Sequence, residues 1–123
     1  MVVDMAEAVG GDDRGPSPGY FGRAAITGCL AIGIKMAATR ERVRLDAVHV
    51  RIEQDWDNRG ILAMRGASPV PLGTHIAIEF ASSEPKETVV ELVARAVAQD
   101  PWYLAFRDAQ TATMAITVTA ERR

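Results

Sequence analysis

The single cysteine, Cys29, is the residue with the most distinctive chemistry in this sequence. A thiol reacts as its thiolate, so a reactive cysteine needs a cation, a helix N-terminus or a hydrogen-bond donor beside it. Arg23 lies six residues back, on a different face of the predicted helix. The residues three and four positions away are all apolar: Ala25, Ile26, Ile32 and Gly33. From these neighbours we expect a buried, unreactive thiol, which only a contact from elsewhere in the chain could activate.

The other residue types that could do chemistry do not occur in the spacings of known sites. His49 and His75 fall on polar faces of predicted strands, where we expect solvated or structural histidines. No His-x-x-His or Cys-x-x-Cys spacing offers a metal site, and Asp12-Asp13 lacks the rest of a calcium loop. The diglycine at Gly10 precedes these aspartates, which would repel a phosphate. We therefore expect neither a metal ion nor a cofactor.

The composition argues against several classes of protein. The chain has 123 residues, 14 of them basic and 16 acidic, so its formal net charge is −2. A nucleic-acid binder would need a basic surplus, and we expect Trp56, Trp102 and Tyr103 to be core or interface anchors rather than base-stacking platforms. The N-terminus lacks the basic start of a signal peptide, and the uncharged stretch between Arg23 and Lys35 is shorter than a membrane span. We expect a soluble, cytoplasmic protein that binds neither nucleic acid nor membrane.

A long helix is predicted to carry Cys29. The Gly- and Pro-rich loop before it ends at Ser17, which can cap a helix whose first position is Pro18 and which runs to about Arg40. Apolar residues lie on nearly all sides of this helix, so we expect it to be central and buried. Its three glycines predict that another backbone packs very close: Gly22, Gly28 and Gly33.

Alternating patterns predict the strands around this helix. Four strands are predicted after it: Asp46–Asp55, Ile61–Met64, Thr74–Ala81 and Ala112–Val118. An amphipathic helix opens at Ser83-Glu84-Pro85 and ends at Asp100-Pro101. The order of elements lacks the regular βαβα alternation, so the expected class is α+β with an antiparallel sheet. The length is that of one domain.

The segment GGDDRGPSPGYFGRAAITGCLAIGIKMAATRER resembles the central motif of the OsmC/Ohr family, the osmotically induced protein C and organic hydroperoxide resistance proteins. In that family a Gly-Pro-Ser-Pro-type loop opens a long central helix that carries a cysteine. The later strands, proline loop, amphipathic helix and Asp-Pro step also fit, so the resemblance covers Val9 to Val118. It implies an OsmC-like fold, with an antiparallel sheet around a buried central helix plus a second amphipathic helix, assembled as an intertwined homodimer. We expect residues 1–123 to form a single OsmC-like domain whose N-terminal strand region is shortened to at most Val2–Val9.

The resemblance also implies thiol-dependent peroxidase chemistry. In the family one cysteine attacks the peroxide as thiolate, becomes a sulfenic acid and is resolved by a second cysteine. A glutamate and an arginine, the latter usually from an N-terminal strand pair, activate the first cysteine. In this chain Cys29 falls on the peroxidatic position, whereas Asp100 stands at the second-cysteine position and Gly19 at that of the glutamate. The charge of Asp100 would disfavour a nearby thiolate.

Two functions stay open at this point. The first is an active one-cysteine organic hydroperoxide reductase with Cys29 as its catalytic residue, an external thiol for resolution, and Arg14 or Arg23 of the partner subunit as the activating arginine. The second is a homodimeric OsmC-like protein of the oxidative-stress lineage whose peroxidase chemistry is weakened or lost. It would keep a site for a small apolar or peroxide ligand near Cys29. Loss of most of the catalytic positions favours the second, because catalytic groups act as a unit.

Overall fold

The structure is a computed structural model that describes residues 1–119 of the chain. Within these residues it contains four α-helices and two strands, after a 3-10 turn at Glu7–Val9. Their bounds are α1 (Pro18–Glu41), β1 (Ala47–Asp55), α2 (Asn58–Ile61), β2 (Gly73–Ala81), α3 (Lys86–Ala98) and α4 (Pro101–Arg107). The predicted α+β class with an antiparallel sheet is confirmed.

The long helix α1 begins where the loop signals predicted. The Ser17 hydroxyl accepts a hydrogen bond from the Tyr20 backbone N–H at 3.3 Å, and Pro18 takes the first helical position. At the other end Arg42 adopts a left-handed backbone with φ of 57°. Its N–H returns to carbonyl oxygens of the last helical turn. Both ends of α1 therefore lie within one residue of the prediction.

The two strands pair antiparallel along their whole length, which confirms the two longer strand predictions. Val50 faces Ile78 and Ile52 faces Ile76 across the sheet. These four side chains are half-buried, whereas the alternate residue Arg51 is exposed. One face of the ladder thus packs toward α1, as the period-2 pattern predicted.

The core lies between α1 and α3. Ile34 of α1 and Val89 and Leu92 of α3 have exposed fractions of 1%, 0% and 0%. Each buried side chain of this size stabilises the fold by about 1.5–3 kcal/mol. The other side of α1 is open, with Ile32 and Met36 exposed by 63% and 59%. The prediction of a helix buried on all sides therefore holds for one face of α1 and is wrong for the opposite face.

The predicted strand at Ile61–Met64 is wrong. The chain forms a helical turn here, because the Asp57 carboxylate accepts a hydrogen bond from the Arg59 N–H at 3.0 Å and caps α2. Gly60 packs against the loop that follows: a Cβ at this position would lie 1.9 Å from the Ser68 carbonyl oxygen. The short apolar run favours a strand, but the Asp57 cap and the close approach of Gly60 to Ser68 stabilise the helical turn instead.

No strand forms within Val2–Val9, the segment to which the N-terminal strand region was expected to be shortened at most. The Asp4 carboxylate instead accepts backbone N–H groups of Met5, Asp12 and Arg14 and so holds the segment on the Gly-rich loop. These donors, Arg14 first, lower the pKa of Asp4. Gly11 is required by this packing, since a Cβ there would lie 1.8 Å from the Met5 carbonyl oxygen.

The segment predicted as a strand over Ala112–Val118 pairs with neither β1 nor β2. An extended segment becomes a strand only where an edge accepts its backbone groups. Its alternate apolar side chains are left in solvent: Met114, Ile116 and Val118 are exposed by 85%, 81% and 89%.

By length and composition alone, α1 is a helix that could cross a membrane. The core helix of a soluble protein meets the same test, and α1 supplies Ile34 to the core.

Candidate functional site

The side chain that faces Cys29 is the buried carboxylate of Asp100. Only 4% of Asp100 is exposed, and it caps the N-terminus of α4 by accepting a hydrogen bond from the Tyr103 N–H at 2.8 Å. Pro101 occupies the first helical position, where its missing N–H costs nothing. The Asp-Pro step therefore both follows α3 and begins α4.

One glycine of α1 lies beside this carboxylate. A Cβ on Gly33 would lie 3.5 Å from one Asp100 carboxylate oxygen, an ordinary contact distance. The prediction that another backbone packs very close at this glycine is therefore wrong, since its neighbour is a side chain at normal distance. The same prediction is wrong at Gly22 and Gly28, where no atom of the described residues lies within 4 Å of an added Cβ.

The surroundings of Cys29 favour the neutral thiol. Burial raises its pKa, and the neighbouring Asp100 carboxylate raises it further. The Trp102 backbone N–H lowers the pKa of the thiol, but the negative charge of Asp100 adds to the increase. The net direction is upward, as expected for a thiol held beside a carboxylate.

A cavity of ≈ 290 Å³ opens beside the Cys29–Asp100 pair. Its apolar wall comes from Ile32 and Met36 of α1, and Arg40 is the one cationic side chain that the described residues contribute to it. Arg40 follows Cys29 by eleven residues, which is three helical turns, so both residues lie on the same side of α1. The cavity thus has a neutral thiol at one end and a guanidinium along the same helix face.

The arginines that the sequence suggested lie elsewhere in their own chain. Arg14 is an exposed residue paired with Asp12 at 3.6 Å. The Arg23 guanidinium lies over the first turn of α1, where an added Cβ on Gly19 would lie 3.2 Å from one of its nitrogens. Neither lines the Cys29 cavity, so among the arginines of residues 1–119 Arg40 is the one that does.

The remaining candidates do not assemble with Cys29. His49 and His75 are exposed on the sheet, opposite Glu79 and Glu53. Among residues 1–119, no three His, Cys, Asp or Glu side chains are close enough to hold a metal ion. Trp102 contributes to the site through its backbone, and its side chain is 58% exposed.

Two contributors to the site were missed in the sequence, the Trp102 N–H and Arg40. The first had a readable signal, because Asp followed by Pro is typical of a helix N-cap and its first position. Such a helix start would have directed backbone N–H groups toward its surroundings. The position of Arg40 could have been inferred from its spacing of eleven residues from Cys29 on α1.

Comparison with known proteins shows which proteins this chain is similar to. One similar solved structure is an organic hydroperoxide resistance protein OsmC from Legionella pneumophila, described as a predicted redox protein and regulator of sulfide bond formation. Its sequence is 20% identical to this chain and its TM-score is 0.58. The match covers 85% of this chain and 71% of that one. Another is a putative organic hydroperoxide resistance protein from Vibrio cholerae O1 biovar eltor with captopril in one of its active sites; it is 18% identical, with a TM-score of 0.53 over 85% of this chain and 67% of that one. No curated protein matches the chain significantly.

The structural likeness shows the fold, and a family model establishes membership. The model described as OsmC-like protein matches residues 10–115, which include the Gly-rich loop, α1 with Cys29, the sheet, α3 and α4. The chain therefore belongs to the OsmC-like protein family.

Proposed function

We propose that this chain is a homodimeric, cytoplasmic OsmC-like protein of the oxidative-stress response whose thiol peroxidase chemistry is weakened or lost. The observation that supports this most directly is the buried Asp100 carboxylate, which lines the same cavity as Cys29 and raises the pKa of its thiol. In this reading the protein keeps the fold and the cavity of the family and binds a small apolar or peroxide ligand beside Cys29.

The chemistry of peroxide reduction explains why this contact matters. The thiolate attacks one peroxide oxygen, the O–O bond breaks, and the products are a sulfenic acid and, after protonation, an alcohol. Asp100 raises the pKa of Cys29 and so lowers the fraction of thiolate that can begin this step. A carboxylate also cannot condense with the sulfenic acid to form a disulfide. Asp100 thus opposes both the first and the second half of the cycle.

A second candidate function is supported by the other groups around the thiol. The Trp102 N–H lowers the pKa of Cys29, and Arg40 lines the same cavity of ≈ 290 Å³. A cation in the cavity would attract a peroxide anion or an anionic thiol. In this alternative, Cys29 is the catalytic residue of a one-cysteine hydroperoxide reductase. An external thiol condenses with the sulfenic acid, releases water, and leaves as a disulfide after attack by another thiol.

The homodimer is supported by apolar surface that this chain leaves uncovered. Ile32 and Met36 on α1 are exposed, and so are Met114, Ile116 and Val118 in the C-terminal segment. The sheet has two strands, so each has a free edge toward which an extended segment could pair. Apolar surfaces of this kind mark sites of protein association.

The experiment compares peroxide consumption by the native chain, Cys29→Ser and Asp100→Cys. Each is given an organic hydroperoxide and a dithiol, and its intact mass is recorded before and after the peroxide. We expect little Cys29-dependent consumption by the native chain. Asp100→Cys should gain activity and lose two hydrogens on oxidation, because its new thiol stands where the carboxylate now contacts Cys29.

Asp108→Cys is the matched control, since it adds a cysteine at the other end of α4. It should remain as inactive as the native chain. Rapid turnover by the native chain, abolished in Cys29→Ser, would refute the loss of chemistry and support the one-cysteine reductase. No gain in Asp100→Cys, although its disulfide forms, would show that Asp100 is not what limits the reaction.

A further inference from the structure

A second cleft is larger than the Cys29 cavity and is separate from it. It has a volume of ≈ 450 Å³ and runs between the first half of α1, the end of β1 and α4. We call it the aromatic cleft, because Trp56, Trp102 and Phe106 contribute to its walls. Cys29 is not among its lining residues. Clefts of about 300–1,000 Å³ with apolar walls and few polar groups are typical of small-molecule sites.

The charge of the aromatic cleft is that of one arginine. Arg23 is its only charged lining residue among residues 1–119, and no aspartate or glutamate lines it. Within the same residues Arg23 has no ion-pair partner. Its guanidinium lies over Gly19, where a longer side chain would otherwise stand. A half-buried guanidinium beside apolar walls favours an anionic group that can accept paired hydrogen bonds.

The floor of the cleft is open for the rest of such a ligand. Gly22 lines it, and no atom lies within 4 Å of an added Cβ there. Aromatic side chains give an apolar tail a large contact area. We propose that the aromatic cleft binds a small carboxylate with an apolar tail, its carboxylate on Arg23 and its tail against Trp56, Trp102 and Phe106. This site is additional to the proposed function and requires no reaction at Cys29.

Tryptophan fluorescence reports directly on this site. The chain has two tryptophans, and both line the cleft. Octanoate is titrated into the full chain while the emission is recorded, and 1-octanol is the uncharged comparison. We expect a saturable change with octanoate, and binding of 1-octanol that is weaker by about tenfold or more, the usual effect of losing a charge-assisted hydrogen bond.

Two glycine variants separate the site from a general charge effect. Gly19→Glu places a carboxylate within reach of Arg23, one turn away on α1, and should abolish the octanoate response. Gly28→Glu makes the same change at an open position on the same helix, outside the cleft, and should bind octanoate like the native chain.

Three results would overturn the proposal. One is an equal response of Gly19→Glu and the native chain, and another is equal binding of octanoate and 1-octanol. The third is an emission that changes with protein concentration but not with octanoate, which would mean that a second copy of the chain covers the cleft. None of these measurements depends on peroxide consumption. A negative result for octanoate binding therefore does not affect the proposed function.

Discussion

At the scale of single residues, the Asp100 carboxylate has two roles. It caps α4 through the Tyr103 N–H and raises the pKa of the Cys29 thiol. The carboxylate is buried and has no ion-pair partner within residues 1–119, which strengthens its effect on the thiol. The same residue thus caps α4 and raises the pKa of Cys29.

Replacing Asp100 by asparagine should therefore lower the pKa of Cys29. Asparagine caps helices about as well as aspartate, so α4 is retained, while the charge that disfavours the thiolate is removed. The rate of alkylation of the native chain by iodoacetamide should rise with pH through a midpoint above the ordinary thiol range, because the folded pKa is raised. In Asp100→Asn the midpoint should move to lower pH, and alkylation near neutral pH should become faster.

The single cysteine makes this readout unambiguous, because every adduct is at Cys29. Asp108→Asn is the control: it removes an equal charge from an exposed carboxylate that pairs with Arg107. It should leave the midpoint where it is. A midpoint that stays unchanged in Asp100→Asn would mean that burial alone sets the thiol pKa.

Residues of the site differ in how far the sequence could identify them. Cys29 was visible as the single cysteine on a long helix, and the resemblance put Asp100 at the position of its partner. The contact between them joins residues 71 positions apart, 100 − 29, which no local spacing can show. The apolar neighbours of Cys29 predicted a buried, unreactive thiol. The residue is half-buried, its reactivity stays a prediction, and the same neighbours did not show that the Asp100 carboxylate lies beside it.

At the scale of elements, long periodic segments were predictable and short ones were not. α1, β1, β2 and α3 all lie where periodicity and capping residues predicted them. The run at Ile61–Met64 was too short to distinguish a strand from a helical end. Ala112–Val118 has the alternation of a strand, but its pairing depends on an edge, and the edges within this chain do not take it.

The N-terminal cap of α1 gives a prediction at this scale. Ser17→Ala removes the hydroxyl that accepts the Tyr20 N–H, so the free energy of unfolding should fall by about 1 kcal/mol. Urea unfolding followed by circular dichroism measures this difference, with all chains at the same concentration. Ser83→Ala changes an exposed serine that caps no helix and should have almost no effect. Equal stability of Ser17→Ala and the native chain would show that the first turn of α1 contributes little.

At the scale of the whole molecule, apolar surface is distributed in a way that a single copy does not explain. The buried core joins one face of α1 to α3, while the opposite face exposes Ile32 and Met36. The C-terminal segment exposes a further row of apolar side chains. Covering both surfaces by a second copy would account for a central helix that is apolar on nearly all sides.

The C-terminal segment lets this be tested with adjacent residues. Ile116 belongs to the apolar row and Thr117 to the alternate row, so lysine at one position or the other puts the same charge on opposite faces. The oligomeric state is measured by size-exclusion chromatography with light scattering, and we expect the native chain to be a dimer. Ile116→Lys should dissociate at concentrations where the native chain does not. Thr117→Lys should remain dimeric. If the native chain is monomeric at every concentration, or if the two lysine variants dissociate alike, the apolar row is not an interface. The exposed face of α1 would then need another explanation, because a helix with this much uncovered apolar surface is otherwise expected to aggregate.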